Sequence, residues 1–118
     1  MNISYNLGKI GEDAAEIYLL NLGYKIIDRH FYCKQGEIDI IAKDKNEFVF
    51  IEVKARSNRN FGNPVDSVTY YKKNHLIKAI RYYLYLKKME NSFIRIDIIE
   101  VYQYKDGLKI NHIKKAIF

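Results

Sequence analysis

The chain has 118 residues, of which 48% are hydrophobic and 29% charged, the balance of an ordinary globular domain with one core. Its 20 Lys+Arg against 14 Asp+Glu leave a net charge of +6, which draws polyanions, nucleic acid or anionic membrane alike, without choosing between them. One cysteine, Cys33, excludes an internal disulfide and a thiolate zinc site, and the three histidines lack metal-ligand spacing. The apolar runs are too short to span a bilayer, and Met1 to Leu7 carries no signal-peptide pattern, so the expectation is a cytoplasmic protein without a membrane partner.

The spacing predicts a helix over residues 8–22, with Ala15, Leu19 and Leu22 on one stripe and Gly23 as its terminator. Lys25 to Tyr32, Gly36 to Lys43 and Glu47 to Arg56 are rich in β-branched and aromatic residues and read as strands. The last two are separated by Asp44-Lys45-Asn46, which has hairpin-turn chemistry. Ser57 to Ser67 is a loop containing the chain's single proline, Pro64. Val68 to Met89 predicts a second helix, because Leu76, Ile77, Ile80, Tyr83 and Leu84 recur at helical spacing. Phe93 to Tyr104 and Leu108 to Ile113 are strands on either side of Lys105-Asp106-Gly107. The fold class is therefore α/β, in the order α-β-β-β-α-β-β, one mixed sheet flanked by helices in a single domain over 1–118.

Chemistry concentrates in the strand Glu47 to Arg56. Val49, Ile51, Val53 and Ala55 are apolar on one face, while the other begins with Phe48 and Phe50 and then turns to Glu52, Lys54 and Arg56. A strand apolar on both faces belongs inside a sheet, so the charges at its end need partners. In the preceding strand, alternation puts Glu37, Asp39 and Ile41 on one face and Ile38, Ile40 and Ala42 on the other. A two-residue loop at Lys45-Asn46 sets Asp39 opposite Glu52. Like charges facing each other destabilise a sheet, and two carboxylates held together make sense around a cation. Oxygen ligands without Cys or His favour Mg²⁺ or Mn²⁺. Lys54 then adds a charge able to orient water or stabilise a phosphoryl oxygen. A Glu52–Lys54 pair on a solvated strand, bridging to Asp39, is the plainer alternative.

Asp39 followed by Glu52-Val53-Lys54 resembles the PD-(D/E)XK nuclease superfamily. The fuller pattern is similar to the YraN-like family of uncharacterised, predicted endonucleases. It comprises Gly8-x-x-Gly11-Glu12-x-x-Ala15, Gly23-Tyr24, Gly36-Glu37-Ile38-Asp39, Phe50-Ile51-Glu52-Val53-Lys54-x-Arg56, Phe61-Gly62 and Arg95-Ile96-Asp97. Ile38 stands where the superfamily usually has proline, which leaves the carboxylate in place. The resemblance implies a restriction-endonuclease-like fold and metal-dependent hydrolysis of phosphodiesters, on DNA more than RNA. It also implies Asp39, Glu52 and the Val53 carbonyl as metal ligands, Lys54 as the catalytic lysine and Glu12 as the first-helix glutamate directed to the site. Glu12 shares the stripe of Ala15 and Leu19, and a first-turn glutamate favoured by the helix dipole is its other reading.

Lys34, Arg56, Arg59, Lys72 and Lys73 are the candidate contacts to a nucleic-acid backbone, which needs charge rather than base-specific geometry. Snorkelling at the sheet margin is the other reading of Lys72 and Lys73. Glu37 is a supporting acid or a partner for Lys34 or Arg56, and His75 reads as a surface histidine. The tyrosines at 70, 71, 82, 83 and 85 run round more than one helix face, so they divide between core, base stacking and a homodimer surface. A non-catalytic nucleic-acid-binding protein of the same fold and an RNA-processing nuclease are the alternative functions.

Overall fold

The computed structural model describes residues 3–57 and 70–116, with side chains from residue 7 onward. The elements follow the expected order: helix α1 (Ile3–Asn21), strands β1 (Lys25–Cys33), β2 (Gly36–Asp44) and β3 (Glu47–Arg56), helix α2 (Tyr70–Leu86), then strands β4 (Phe93–Tyr104) and β5 (Gly107–Ile113). They form one sheet of order β1-β2-β3-β4-β5. Its neighbours are antiparallel except β3 and β4, which are parallel and lie on either side of α2 in the chain. A parallel pair needs such a crossover, because a tight turn reverses the strand.

Helix α1 closes at Gly23, whose φ of +93° lets Tyr24 N–H reach the Leu19 carbonyl at 3.0 Å. Helix α2 ends short of the expected Met89. Lys88 takes the left-handed conformation (φ +56°), and Met89 N–H donates back to the Leu84 carbonyl at 2.8 Å. The start expected at Val68 and the loop from residue 58 lie outside the described residues.

Helix α1 covers one face of the sheet, where Ala15, Leu19 and Tyr24 pack with Ile40, Ala42, Val49, Ile51, Ile99 and Val101. On the other face, Leu76, Ala79, Ile80, Tyr83 and Leu84 of α2 pack with Ile38, Ile41, Phe50 and Ile96. Strand β3 is thus buried on both faces, as its double apolar pattern required. At about 25 cal/mol per Å² of apolar surface, these two layers supply most of the drive to fold.

Two expectations about β2 need correction. Its hairpin register with β3 is as expected from Asp44↔Glu47 to Ile40↔Ile51, but the ladder stops there, so no backbone pair joins Asp39 to Glu52. Alternation also breaks, because Ile38 joins Ile41 on the α2 face instead of Ile40 on the α1 face. The cause lies in the neighbouring backbone. Between the pairs Arg29↔Ile40 and Phe31↔Ile38, His30 takes a φ of +53° and does not pair with Asp39. Asp39 is therefore the one residue of β2 that enters neither ladder.

Towards the hairpin end, a polar network ties the elements together. Arg95, on β4, donates to Asp97 (3.1 Å), Asp44 (3.0 Å), Glu47 (3.3 Å) and the Tyr24 hydroxyl. Asp97, fully buried, also lies 2.7 Å from His112 Nε2 and accepts from Lys115 N–H at 3.1 Å. Among the described residues, no helix is long and apolar enough to cross a membrane.

Candidate active site

Asp39 lies where β2 has parted from β3 and skips one pair with β1, and it is only 6% exposed. Its Oδ2 accepts a hydrogen bond from Val53 N–H at 2.8 Å, a side chain taking the place of a ladder partner. Burial, then the Glu52 charge, push the Asp39 carboxyl up to about 8 against the pull of the Val53 N–H, and Glu12 and Glu37 push the same way. The Glu52 carboxyl is also raised, chiefly by burial and further by Glu37, with Lys54 and Lys72 opposing. Lys54 Nζ sits 3.2 Å from Glu52 Oε1. The structure thus brings Asp39, Glu52 and Lys54 to one end of the β2–β3 pair.

Two clefts open there. One, of about 280 Å³, is lined by Glu37, Glu52, Lys54, Tyr71, Lys72, His75 and Leu76, on the α2 side. The other, of about 380 Å³, is lined by Gly8, Lys9, Glu12, Arg29, His30, Tyr32 and Glu37, on the α1 side. Glu37 lines both, so they meet at the start of β2.

Glu12 reaches this region because α1 lies close on β3. A Cβ at Gly11 would stand 2.8 Å from the Ala55 Cβ, so only glycine permits that approach. Glu12 Oε1 lies 2.7 Å from His30 Nε2 and 3.5 Å from Arg29, whose guanidinium also serves Asp13 (3.0 Å) and Glu16 (3.6 Å).

The basic candidates are dispersed. Lys72 lines the α2-side cleft, while Lys73, on the same helix, is not among its walls. Lys34 lies in the β1–β2 turn and lines a further cleft with Tyr82 and Leu86, which adjoins the α1-side cleft at Tyr32. Arg56 is drawn into the sheet, 3.3 Å from the buried Glu100, which also accepts from Tyr102 (2.9 Å) and Asn111 (3.1 Å). Arg59 lies outside the described residues. Of the helix tyrosines, Tyr83 is core and Tyr70, Tyr71, Tyr82 and Tyr85 are exposed. Sequence reasoning passed over Arg29, His30 and Tyr32, since nothing in a run of strand formers marks them as facing a glutamate of α1. His75 is more than a surface histidine, because its Nδ1 donates to the Gln35 carbonyl at 2.6 Å and its ring lines the cleft.

Among the described residues, no three His, Cys, Asp or Glu side chains are grouped to hold a metal ion. A closed cage of the structural-zinc kind is therefore not formed by them. The donor set still suits a hard cation. Mg²⁺ is usually held by one or two carboxylates plus water and substrate phosphate, and a cation beside Asp39 would offset both the burial of its charge and the Glu52 repulsion that together raise its pKa.

The model of the family described as "Uncharacterised protein family UPF0102" matches residues 11–101. UPF0102 proteins of Clostridium perfringens and Caldicellulosiruptor saccharolyticus are 44% and 43% identical over 113 and 112 residues, covering 94% and 93% of this chain and 93% and 95% of theirs. That of Clostridioides difficile is 45% identical over 109 residues, covering 92% of this chain and 94% of its own. Among solved structures, SfsA of Pyrococcus furiosus in complex with Ca²⁺ aligns with a TM-score of 0.41 at 16% identity, covering 94% of this chain and 63% of that one. The resemblance to the YraN-like family is borne out by the family match and these relatives: the chain belongs to the uncharacterised protein family UPF0102.

Proposed function

We propose that this chain is an endonuclease of the PD-(D/E)XK kind that hydrolyses nucleic-acid phosphodiesters, DNA before RNA, with Mg²⁺ or Mn²⁺. The observation that carries this reading is the placement of Asp39. It is a buried carboxylate outside both ladders, raised towards neutrality by burial and by Glu52, with a lysine bonded to that same Glu52. A fold tolerates such an arrangement at a cost, and Glu52, also raised, lines the α2-side cleft, the setting in which perturbed groups concentrate at functional sites.

Asp39, Glu52 and the Val53 carbonyl would hold the cation. Bound there, it would supply positive charge to the phosphate and acidify water. Val53 N–H keeps Asp39 in one orientation, so little reorganisation is needed when substrate arrives. Lys54, anchored by Glu52, offers an ammonium to a phosphoryl oxygen or to the attacking water. Lys72 supports the negative phosphate from α2. Glu12, lying between His30 and Arg29, borders the opposite cleft and can accept a proton or orient water.

The test is cleavage of supercoiled, branched and single-stranded DNA, and of RNA, with Mg²⁺ or Mn²⁺. Asp39→Ala and Lys54→Ala are expected to lose at least ~100-fold in rate. Cutting that survives both substitutions refutes the assignment. Tight binding with no cutting by the wild type favours the binding-protein alternative.

A further inference from the structure

Two exposed tyrosine rings stand on either side of Glu37, one in each cleft, and each packs on a histidine ring. On the α1 side Tyr32, 68% exposed, stacks on His30 with ring centres 6.2 Å apart and planes 10° from parallel. His30 Nε2 lies 2.7 Å from Glu12 Oε1. On the α2 side Tyr71, 71% exposed, packs on His75 at 4.2 Å. His75 is fastened to the β1–β2 turn through the Gln35 carbonyl. Both rings thus lean on a neighbouring ring, and both clefts carry basic side chains, Lys9 and Arg29 in one, Lys54 and Lys72 in the other, beside Glu12, Glu37 and Glu52.

We infer that Tyr32 and Tyr71 are stacking platforms for unpaired bases on either side of the reacting phosphate. The substrate class is then nucleic acid that is single-stranded at the cut: a single strand, a flap or an open junction. This deepens the function proposed above and rests on its placement of the reacting centre at Asp39 and Glu52.

The physical reasons are size and access. Clefts of about 280 and 380 Å³ lie near the lower end of the range for small ligands, about 300–1,000 Å³, and have room for one nucleotide each. A base within a duplex has both faces covered, so a protein ring stacks on it only after it leaves the helix. Aromatic stacking tolerates any base, which matches a small domain with basic residues and little surface for reading base edges. A platform already held in place gives up less side-chain entropy on binding.

Binding is measured in EDTA, so that it is separated from cutting, with a short labelled single strand and a blunt duplex of the same sequence. The chain has no tryptophan and 11 tyrosines, so the part of the tyrosine quenching that is lost in the Tyr32→Ala and Tyr71→Ala variants reports stacking on those two rings. The single strand is expected to bind at least ~10-fold tighter than the duplex, and Tyr32→Ala and Tyr71→Ala each to weaken single-strand binding by ~5-fold or more. Both substitutions are expected to leave the salt slope and the Tm unchanged, with the Tyr→Phe variants binding as the wild type does. Equal affinity for duplex and single strand, or alanine variants that bind normally, overturns the inference. Tyrosine-dependent single-strand binding without any cutting in Mg²⁺ upholds it while refuting the nuclease reading. Cutting of duplex by both alanine variants at the wild-type rate does the reverse.

Discussion

Val53 N–H donates to Asp39 Oδ2 at 2.8 Å, across the point where β2 and β3 cease to pair. One bond does two jobs there. It satisfies a backbone donor that the parting strands leave without a ladder partner, and it fixes the carboxylate beside Glu52. The Val53 carbonyl, the next acceptor along β3, is the atom expected to join both carboxylates around a cation.

Asp39 bears directly on stability. Its carboxyl is raised to about 8 in the folded chain, so the folded state keeps a proton that the unfolded state has lost above about pH 4. Its contribution therefore falls as pH rises from about 4 to about 8. Asp39→Asn, which still accepts from Val53 N–H, is expected to raise stability at pH 8 by more than about 1 kcal/mol in EDTA. Mg²⁺ is expected to raise the Tm of the wild type and leave that of the variant unchanged. Thermal melts with and without Mg²⁺ check both outcomes.

Asp97 behaves in the opposite sense. Burial alone would raise its carboxyl, but the hydrogen bonds from His112, Arg95 and Lys115 N–H outweigh burial and hold it below the usual range. A depressed carboxylate contributes stability above its unfolded pKa, about 3.9, and loses it as pH falls through the folded value. Acid melts of the wild type should steepen below about pH 4. Asp97→Asn should flatten that limb and cost about 3 kcal/mol at neutral pH, since Arg95 stays buried with fewer acceptors.

Gly11 is a packing prediction. Gly→Ala within a helix normally gains about 0.5–1 kcal/mol. Here the new methyl meets the Ala55 Cβ at 2.8 Å, and overpacking costs about 1–3 kcal/mol. Gly11→Ala is expected to destabilise on balance, and adding Ala55→Gly to restore stability. Urea denaturation of the single and double variants decides this, and a Gly11→Ala variant as stable as the wild type contradicts the close approach.

Arg56 and Lys72 separate two kinds of basic residue. Arg56→Met leaves the buried Glu100 without its cation and should cost about 3 kcal/mol of stability. Lys72→Ala, on an exposed side chain at the cleft, should keep the Tm and reduce the salt dependence of nucleic-acid binding by about one counterion. Parallel melts and salt titrations distinguish them.

Particular residues show how far the sequence could be read. The α-β-β-β-α-β-β order was legible because each segment carries its own period, and Gly23 and Asp44-Lys45-Asn46 mark their own turns. The pairing of Asp44 with Glu47 followed from loop length alone. The break of alternation at Asp39 was not legible, because it depends on the left-handed backbone of His30 in the next strand. The end of α2 at Leu86 was missed for a similar reason: Lys88 adopts a conformation usually left to glycine.

The net charge of +6 settled little, since phosphate and membrane surfaces attract it equally. Residue order by itself determined which side chains share the ends of two hairpin strands, because strand period and turn length are local properties. Only the tertiary structure decided which charges are committed and which are exposed to a ligand. Arg56 is drawn to Glu100 from β4, and Glu12 meets His30 and Arg29 from β1. Tyr32 and Tyr71, far apart in the chain, border two clefts that meet at Glu37. Such pairings depend on distances across the sheet and between layers, and no period along a single strand or helix encodes them.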